Sequence, residues 1–159
     1  MLRTMALLST LLAAPAKRPT RIQVGTGTTF QPKEKGLNNG ILGCTGEEWT
    51  DPDLPICAHR TLPCGSWVQI ENLGTGNIAW CKILDRGPYG KLDENGEWFN
   101  AAVEKERDGE FRSVIDMSKA VSEKLNSMGM ARVRIKYWKN NPYNNLLDLI
   151  HFNYLNEEI

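Results

Sequence analysis

The stretch Ala58-His59-Arg60-Thr61-Leu62-Pro63, then Trp67-Val68-Gln69-Ile70-Glu71-Asn72, Leu73-Gly74-Thr75-Gly76-Asn77 and Ile78-Ala79-Trp80-Cys81-Lys82-Ile83-Leu84-Asp85-Arg86-Gly87-Pro88 decides the fold. Trp67, Gln69 and Glu71 alternate with Val68 and Ile70. The Gly- and Asn-rich turn follows, and Ile78 to Leu84 resumes an apolar-rich run. This is the pattern of strand, turn, strand. Side chains alternate across a strand, so Ala79, Cys81, Ile83 and Asp85 share one face while Ile78, Trp80, Lys82 and Leu84 share the other. The hairpin thus has an imidazole, His59, ahead of its first strand and a carboxylate, Asp85, at the end of its second. Arg86 projects away from Asp85 if the strand persists, and Gly87-Pro88 then ends it, leaving Asp85 at a loop entrance. A carboxyl among small and apolar neighbours keeps its proton to higher pH, whereas an adjacent cation would strip it.

Further downstream, Val121, Leu125 and Met128 fall at helical spacing behind Asp116 and Ser118, either of which can cap a helix that ends at Gly129. Ala131 to Trp138 returns to alternation. Val133, Ile135 and Tyr137 lie on one face, with Arg132, Arg134 and Lys136 on the other, as expected of a strand with one buried side. Periodicity alone supports a mixed α+β domain dominated by β.

These words, in this order, resemble the rare lipoprotein A (RlpA)-like double-psi β-barrel domain. The likeness rests on Ala58-His59-Arg60-Thr61-Leu62-Pro63, Gly65-Ser66-Trp67-Val68, Asn72-Leu73, Asp85-Arg86-Gly87-Pro88-Tyr89 and Val114-Ile115-Asp116-Met117-Ser118. Upstream, Gly46-Glu47-Glu48-Trp49-Thr50-Asp51 is similar to the family's Gly-Glu-x-x-Asp element. Gly25-Thr26-Gly27-Thr28-Thr29-Phe30 is a weaker echo of its opening strand. The resemblance implies a six-stranded double-psi β-barrel with one packed helix over residues 24–138. Around it lie an N-terminal arm (1–23), an insertion (91–111) and a C-terminal tail (139–159).

The family includes lytic transglycosylases acting on peptidoglycan, and the same barrel occurs in other glycan-cleaving enzymes and in expansins. Carried over by position, the resemblance implies Asp85 as catalytic acid and His59 as a second catalytic residue that orients Asp85 or bonds the glycan, with Glu48, Asp51 and Tyr89 as substrate-binding residues. The chemistry agrees: glycosidic cleavage needs a carboxyl still protonated near neutral pH to protonate the leaving oxygen. A lytic transglycosylase manages with one acid/base, because a hydroxyl of the sugar itself closes an anhydro ring. No metal or organic cofactor is required. Taken one at a time, the same residues read more plainly. Asp85 is then a turn residue bonding its own backbone, His59 a structural hydrogen-bonding group, and Glu48 and Asp51 loop carboxylates near Pro52 and Pro55. Trp49, Trp67, Trp80 and Tyr89 suit sugar stacking, or the core and cover of a small barrel.

The chain has 159 residues, with 19 Lys and Arg against 19 Asp and Glu. That is one domain's worth of chain with no basic surplus for nucleic acid, and no run is long enough to span a membrane. Cys44, Cys57, Cys64 and Cys81 lack the C-x-x-C pairs of a zinc site; they can be free thiols or any of three sets of disulfides. Met5 to Ala16, behind Arg3 and with Ala14-Pro15-Ala16 near its end, resembles a short secretory signal. If retained it reads as a helix or arm ended by Lys17-Arg18-Pro19, and no cysteine follows the small residues to carry a lipid. An export signal points to an extracytoplasmic place in the periplasm or cell wall. Ordered termini, 1–23 and 139–159, would instead suit a subunit of a large assembly such as a phage tail or other virion particle, holding neighbouring subunits through those segments. Asn140-Asn141-Pro142-Tyr143-Asn144-Asn145 reads as a linker, and the apolar residues after it are expected to form a short helix on the barrel or a partner.

Overall fold

The computed structural model describes residues 17–30, 40–88, 91–92, 98–99, 113–127 and 129–148. The expected hairpin is present. Strand β3 (Trp67–Asn72) pairs antiparallel with β4 (Ile78–Asp85), with Trp67 opposite Lys82 and Glu71 opposite Ile78. Asn72 sets the turn between them: its N–H donates to Asn77 O at 2.9 Å and its Oδ1 accepts Gly74 N–H at 2.9 Å, while Gly76 takes the left-handed conformation at φ 76°.

Around this hairpin close β1 (Arg21–Thr29), β2 (Ile56–Ala58), β7 (Ser113–Met117) and β8 (Met130–Tyr137). The barrel runs β1-β7-β2-β4-β3-β8 and back to β1. Two of its ladders are parallel, β1 with β7 and β2 with β4; the other four are antiparallel. Its interior is filled by alternate residues of these strands: Val68 and Ile70 from β3, Ala79, Cys81 and Ile83 from β4, Ile115 and Met117 from β7, Val133 and Ile135 from β8. The face assigned to β4 is therefore the inward one, and Asp85 continues it. Gly27 of β1 lets the strands approach, since a Cβ there would lie 2.9 Å from Met117 Cε and 3.1 Å from Val133 Cγ2.

Helix α1 (Lys119–Leu125) plugs one end with Val121 and Leu125. It begins behind Ser118 as expected, but without a side-chain cap from that residue, and it ends earlier than expected. Ser118 is the N-cap residue but makes no side-chain cap; its Oγ donates to Leu54 O at 2.6 Å instead. The Asp116 carboxylate is engaged by the Thr28 hydroxyl. At the C-terminus the helix stops at Asn126, in the αL conformation, three residues before Gly129. Asn72 Nδ2 and Thr75 Oγ1 take up the released Leu125 carbonyl at 2.9 and 3.2 Å.

Trp67, Trp80 and Trp138 form a second cluster outside the barrel, and Leu147 on a short helix α2 (144–148) completes it. Trp49 packs with Phe30 in a third cluster. These three indoles of the stacking candidates, Trp49, Trp67 and Trp80, are all buried as core and cover. Within 91–111, β5 (Lys91–Leu92) and β6 (Trp98–Phe99) pair as a separate two-stranded sheet. Tyr89, the rest of that insertion, residues 1–16 and residues 149–159 lie outside the described residues.

All four cysteines are paired, Cys44 with Cys64 and Cys57 with Cys81, at Cα separations of 5.5 and 5.9 Å. The Cys57–Cys81 bridge ties β2 to β4 within the core, both residues at 0% exposure, whereas Cys64 is exposed. Mild dithiol treatment of the native protein, followed by alkylation and peptide mapping, should label Cys44 and Cys64 first and reach Cys57 and Cys81 only with denaturant. Equal labelling of all four would contradict the burial. With its ends 24 positions apart in sequence, the inner bridge should stabilise the fold by about 3 kcal/mol.

Candidate active site

The parallel β2–β4 ladder joins the two chemically distinctive residues. A register shift between Cys57 and Ala58 sets Ala58 opposite Asp85, and the next residue, His59, donates its N–H to Asp85 O at 3.2 Å. They are therefore neighbours through the backbone, on adjacent strands, although 26 positions separate them by number.

Asp85 ends β4 and is 5% exposed. Its Oδ1 accepts two backbone N–H groups, from Gly43 at 2.7 Å and from Arg86 at 2.8 Å. Burial pushes the carboxyl above its ordinary range; the two amides and the Arg86 charge pull the other way without cancelling it. With Oδ1 occupied as an acceptor by both amides, the proton of the neutral acid belongs on Oδ2. The strand ends at Asp85, so alternation does not extend to Arg86; its side chain is placed by hydrogen bonds instead. Its Nη1 donates to His59 O at 3.0 Å and to Leu62 O, and its Nη2 to Cys64 Sγ at 2.8 Å, so the guanidinium braces the 59–64 loop.

The His59 ring is 2% exposed and fully engaged. Nδ1 accepts N–H from Thr61 at 3.1 Å and Leu62 at 3.0 Å, so it carries no proton. Nε2 then donates to Gln23 Oε1 at 3.0 Å. Burial foremost, then the charges of Arg21, Arg60 and Arg86, lower the imidazole to about 4. At neutral pH the ring is uncharged.

Glu48 and Asp51 lie on the segment that also carries Gly43. Glu48 is exposed and forms an antiparallel bridge with Ile41, and the half-buried Asp51 accepts Asp53 N–H on Oδ1 at 2.8 Å. The segment docks on β4 through Cys44 N–H to Leu84 O at 3.1 Å and through Gly43 to Asp85. Sequence reasoning singled out neither Gly43 nor Gln23. A glycine in Leu42-Gly43-Cys44 and a glutamine in a weakly patterned strand give no local sign of partners 42 and 36 residues away. Among the described residues no group of three or more His, Cys, Asp or Glu is arranged to hold a metal ion, and no helix is long and apolar enough to cross a membrane.

No protein-family model matches the chain. Individual relatives do. Proteins named endolytic peptidoglycan transglycosylase RlpA from Escherichia coli and Salmonella typhi are 33% and 30% identical over 118 and 117 residues, 74% of this chain in both cases. A Treponema pallidum protein named probable endolytic peptidoglycan transglycosylase RlpA is 32% identical over 104 residues, 65% of this chain. The closed barrel is an RlpA-like double-psi domain. The chain spans about a quarter of the length of these relatives, 26%, 25% and 26% in turn.

In this RlpA-like domain the His59 ring makes stability depend on pH. Its folded pKa lies below the ordinary 6.5, so the unfolded chain binds the extra proton. The stabilisation is complete above about pH 6.5 and is lost as the pH falls towards 4, the loss amounting to at most about 3 kcal/mol. A His59→Asn variant keeps an acceptor for the two amides and does not titrate. Urea unfolding at pH 7 and pH 4.5 should show a smaller loss for the variant; equal losses would mean the imidazole protonates without disturbing the loop.

Proposed function

We propose that this domain cleaves the glycan strands of peptidoglycan as a lytic transglycosylase, with Asp85 as its acid/base. The observation that carries the reading is a single carboxyl at the end of a barrel strand, held above its ordinary pKa by burial and oriented by two amides. The names of the relatives supply the substrate class. Asp85 protonates the glycosidic oxygen from Oδ2 as the bond to the anomeric carbon breaks. The resulting carboxylate then takes the proton of a hydroxyl on the same sugar, whose oxygen closes the anhydro ring on that carbon. The acid is regenerated and no water is consumed. General acid–base help of this kind contributes roughly 100- to 10,000-fold in rate.

His59 serves as a positioning residue, neutral and fixed, that holds the Asp85 backbone through its own N–H. Glu48 and Asp51 bind sugar hydroxyls or face the positive charge that develops on the ring, and Tyr89 contacts the sugar. Residues 24–138 form the working barrel, flanked by 1–23 and 139–159. Two disulfides favour an oxidising, extracytoplasmic compartment.

Purified protein incubated with peptidoglycan should release anhydro-muropeptides detectable by mass spectrometry, and Asp85→Asn should lower the rate by at least about 100-fold. The amide retains an oxygen for Gly43 and Arg86, so the fold survives. Because the folded pKa of Asp85 is raised, its carboxyl stabilises the fold only below that pKa and the advantage is lost as the pH rises through it. The variant should therefore melt no lower than the wild type at neutral pH. Undiminished activity in Asp85→Asn would remove this residue from the mechanism.

A further inference from the structure

The amide on Asp85 that comes from Gly43 has a different footing from the one that comes from Arg86. Arg86 N–H is the next peptide group along the chain and is placed by β4 itself, while Gly43 reaches Oδ1 across 42 residues. What brings it there is a tight turn, closed by Leu42 N–H to Glu47 O and Gly46 N–H to Leu42 O, both at 2.8 Å. The residue next to Gly43 is Cys44, bonded to Cys64. The Cys64 side is firmly seated: Gly65 N–H donates to Ile83 O at 2.7 Å, and Arg86 Nη2 reaches Cys64 Sγ at 2.8 Å. The bridge thus ties the turn to the same strand end that carries the acid.

Position 43 also leaves no room for a side chain. A Cβ there would lie 2.9 Å from Asp85 Oδ1 and 3.4 Å from Arg86 Cβ and Cγ, although the residue itself is exposed to solvent. Gly43 is not among the glycines with positive φ, so the requirement is close approach to the carboxyl rather than backbone conformation.

We propose that the Cys44–Cys64 disulfide and Gly43 together form a positioning device for the acid, aiming the Gly43 N–H at Oδ1, which shares the negative charge that appears when Oδ2 gives up its proton. A hydrogen bond to a carboxylate is stronger than one to a neutral acid, so a donor fixed in advance favours the proton-transfer transition state over the resting state. The catalytic consequence rests on the glycan-cleaving reading above; the geometric part does not.

The test uses the full ¹⁵N-labelled chain and follows amide proton shifts against pH. In the wild type, Gly43 and Arg86 should share one titration midpoint that disappears in Asp85→Asn. In the Cys44→Ser, Cys64→Ser double variant, with Cys57–Cys81 still closing the barrel, Arg86 should keep that response and Gly43 should lose it. The kcat should fall about tenfold with KM little changed, since one charge-assisted bond is lost. If the double variant does not fold, dithiothreitol under native conditions gives the same open state, two cysteine thiols forming as the reductant leaves as its cyclic disulfide. An unchanged Gly43 response in the opened protein overturns the proposal. A wild type without turnover would sink the glycan-cleaving reading, and the amide titration would still decide the positioning role.

Discussion

A closed six-stranded barrel has an interior only wide enough for side chains, and strand alternation decides which ones enter. On β4 that rule admits Ala79, Cys81 and Ile83, and then, at the last position before the chain breaks out of the ladder, Asp85. One period-2 register therefore fills the core and also withdraws a carboxyl from water. A slip of one residue would send Ile83 and Cys81 outward and return Asp85 to solvent. Fold and acid strength are consequences of the same pairing. The Cys57–Cys81 bridge between β2 and β4 resists that slip at the ladder where it matters.

The environment of Asp85 is a balance of opposing effects. Burial alone would make the acid a poor one, holding its proton tightly. Two peptide N–H groups on Oδ1 temper this without supplying a full countercharge, because the Arg86 guanidinium is spent on the carbonyls of His59 and Leu62 and on Cys64.

The parts of this arrangement differ in how plainly the sequence displays them. The β3–β4 hairpin, the inward face of β4 and the alternation of β8 are all local patterns, and the structure has them. Helix α1 begins behind Ser118 as its sequence suggests, but Ser118 Oγ bonds Leu54 O across the barrel in place of a cap. Non-local matters left no local trace. Periodicity does not reveal that β2 lies parallel to β4, that the cysteines pair 44 with 64 and 57 with 81, or that a glycine in one loop feeds a carboxyl in another. The resemblance to RlpA supplied the topology that alternation could not.

The first and last strands of the barrel in sequence, β1 and β8, are hydrogen-bonded to each other along their length, with Arg21 opposite Tyr137. Just beyond that pair, Thr20 N–H meets Tyr137 O at 2.7 Å and Lys139 N–H meets Thr20 Oγ1 at 2.9 Å. The polypeptide enters and leaves the barrel at one corner. A unit with adjoining ends is a cassette: it can be spliced into a loop or strung between other domains without its strands being pulled apart. That geometry suits a piece whose counterpart occupies only about a quarter of each longer relative, and it makes the barrel a natural subject for circular permutation.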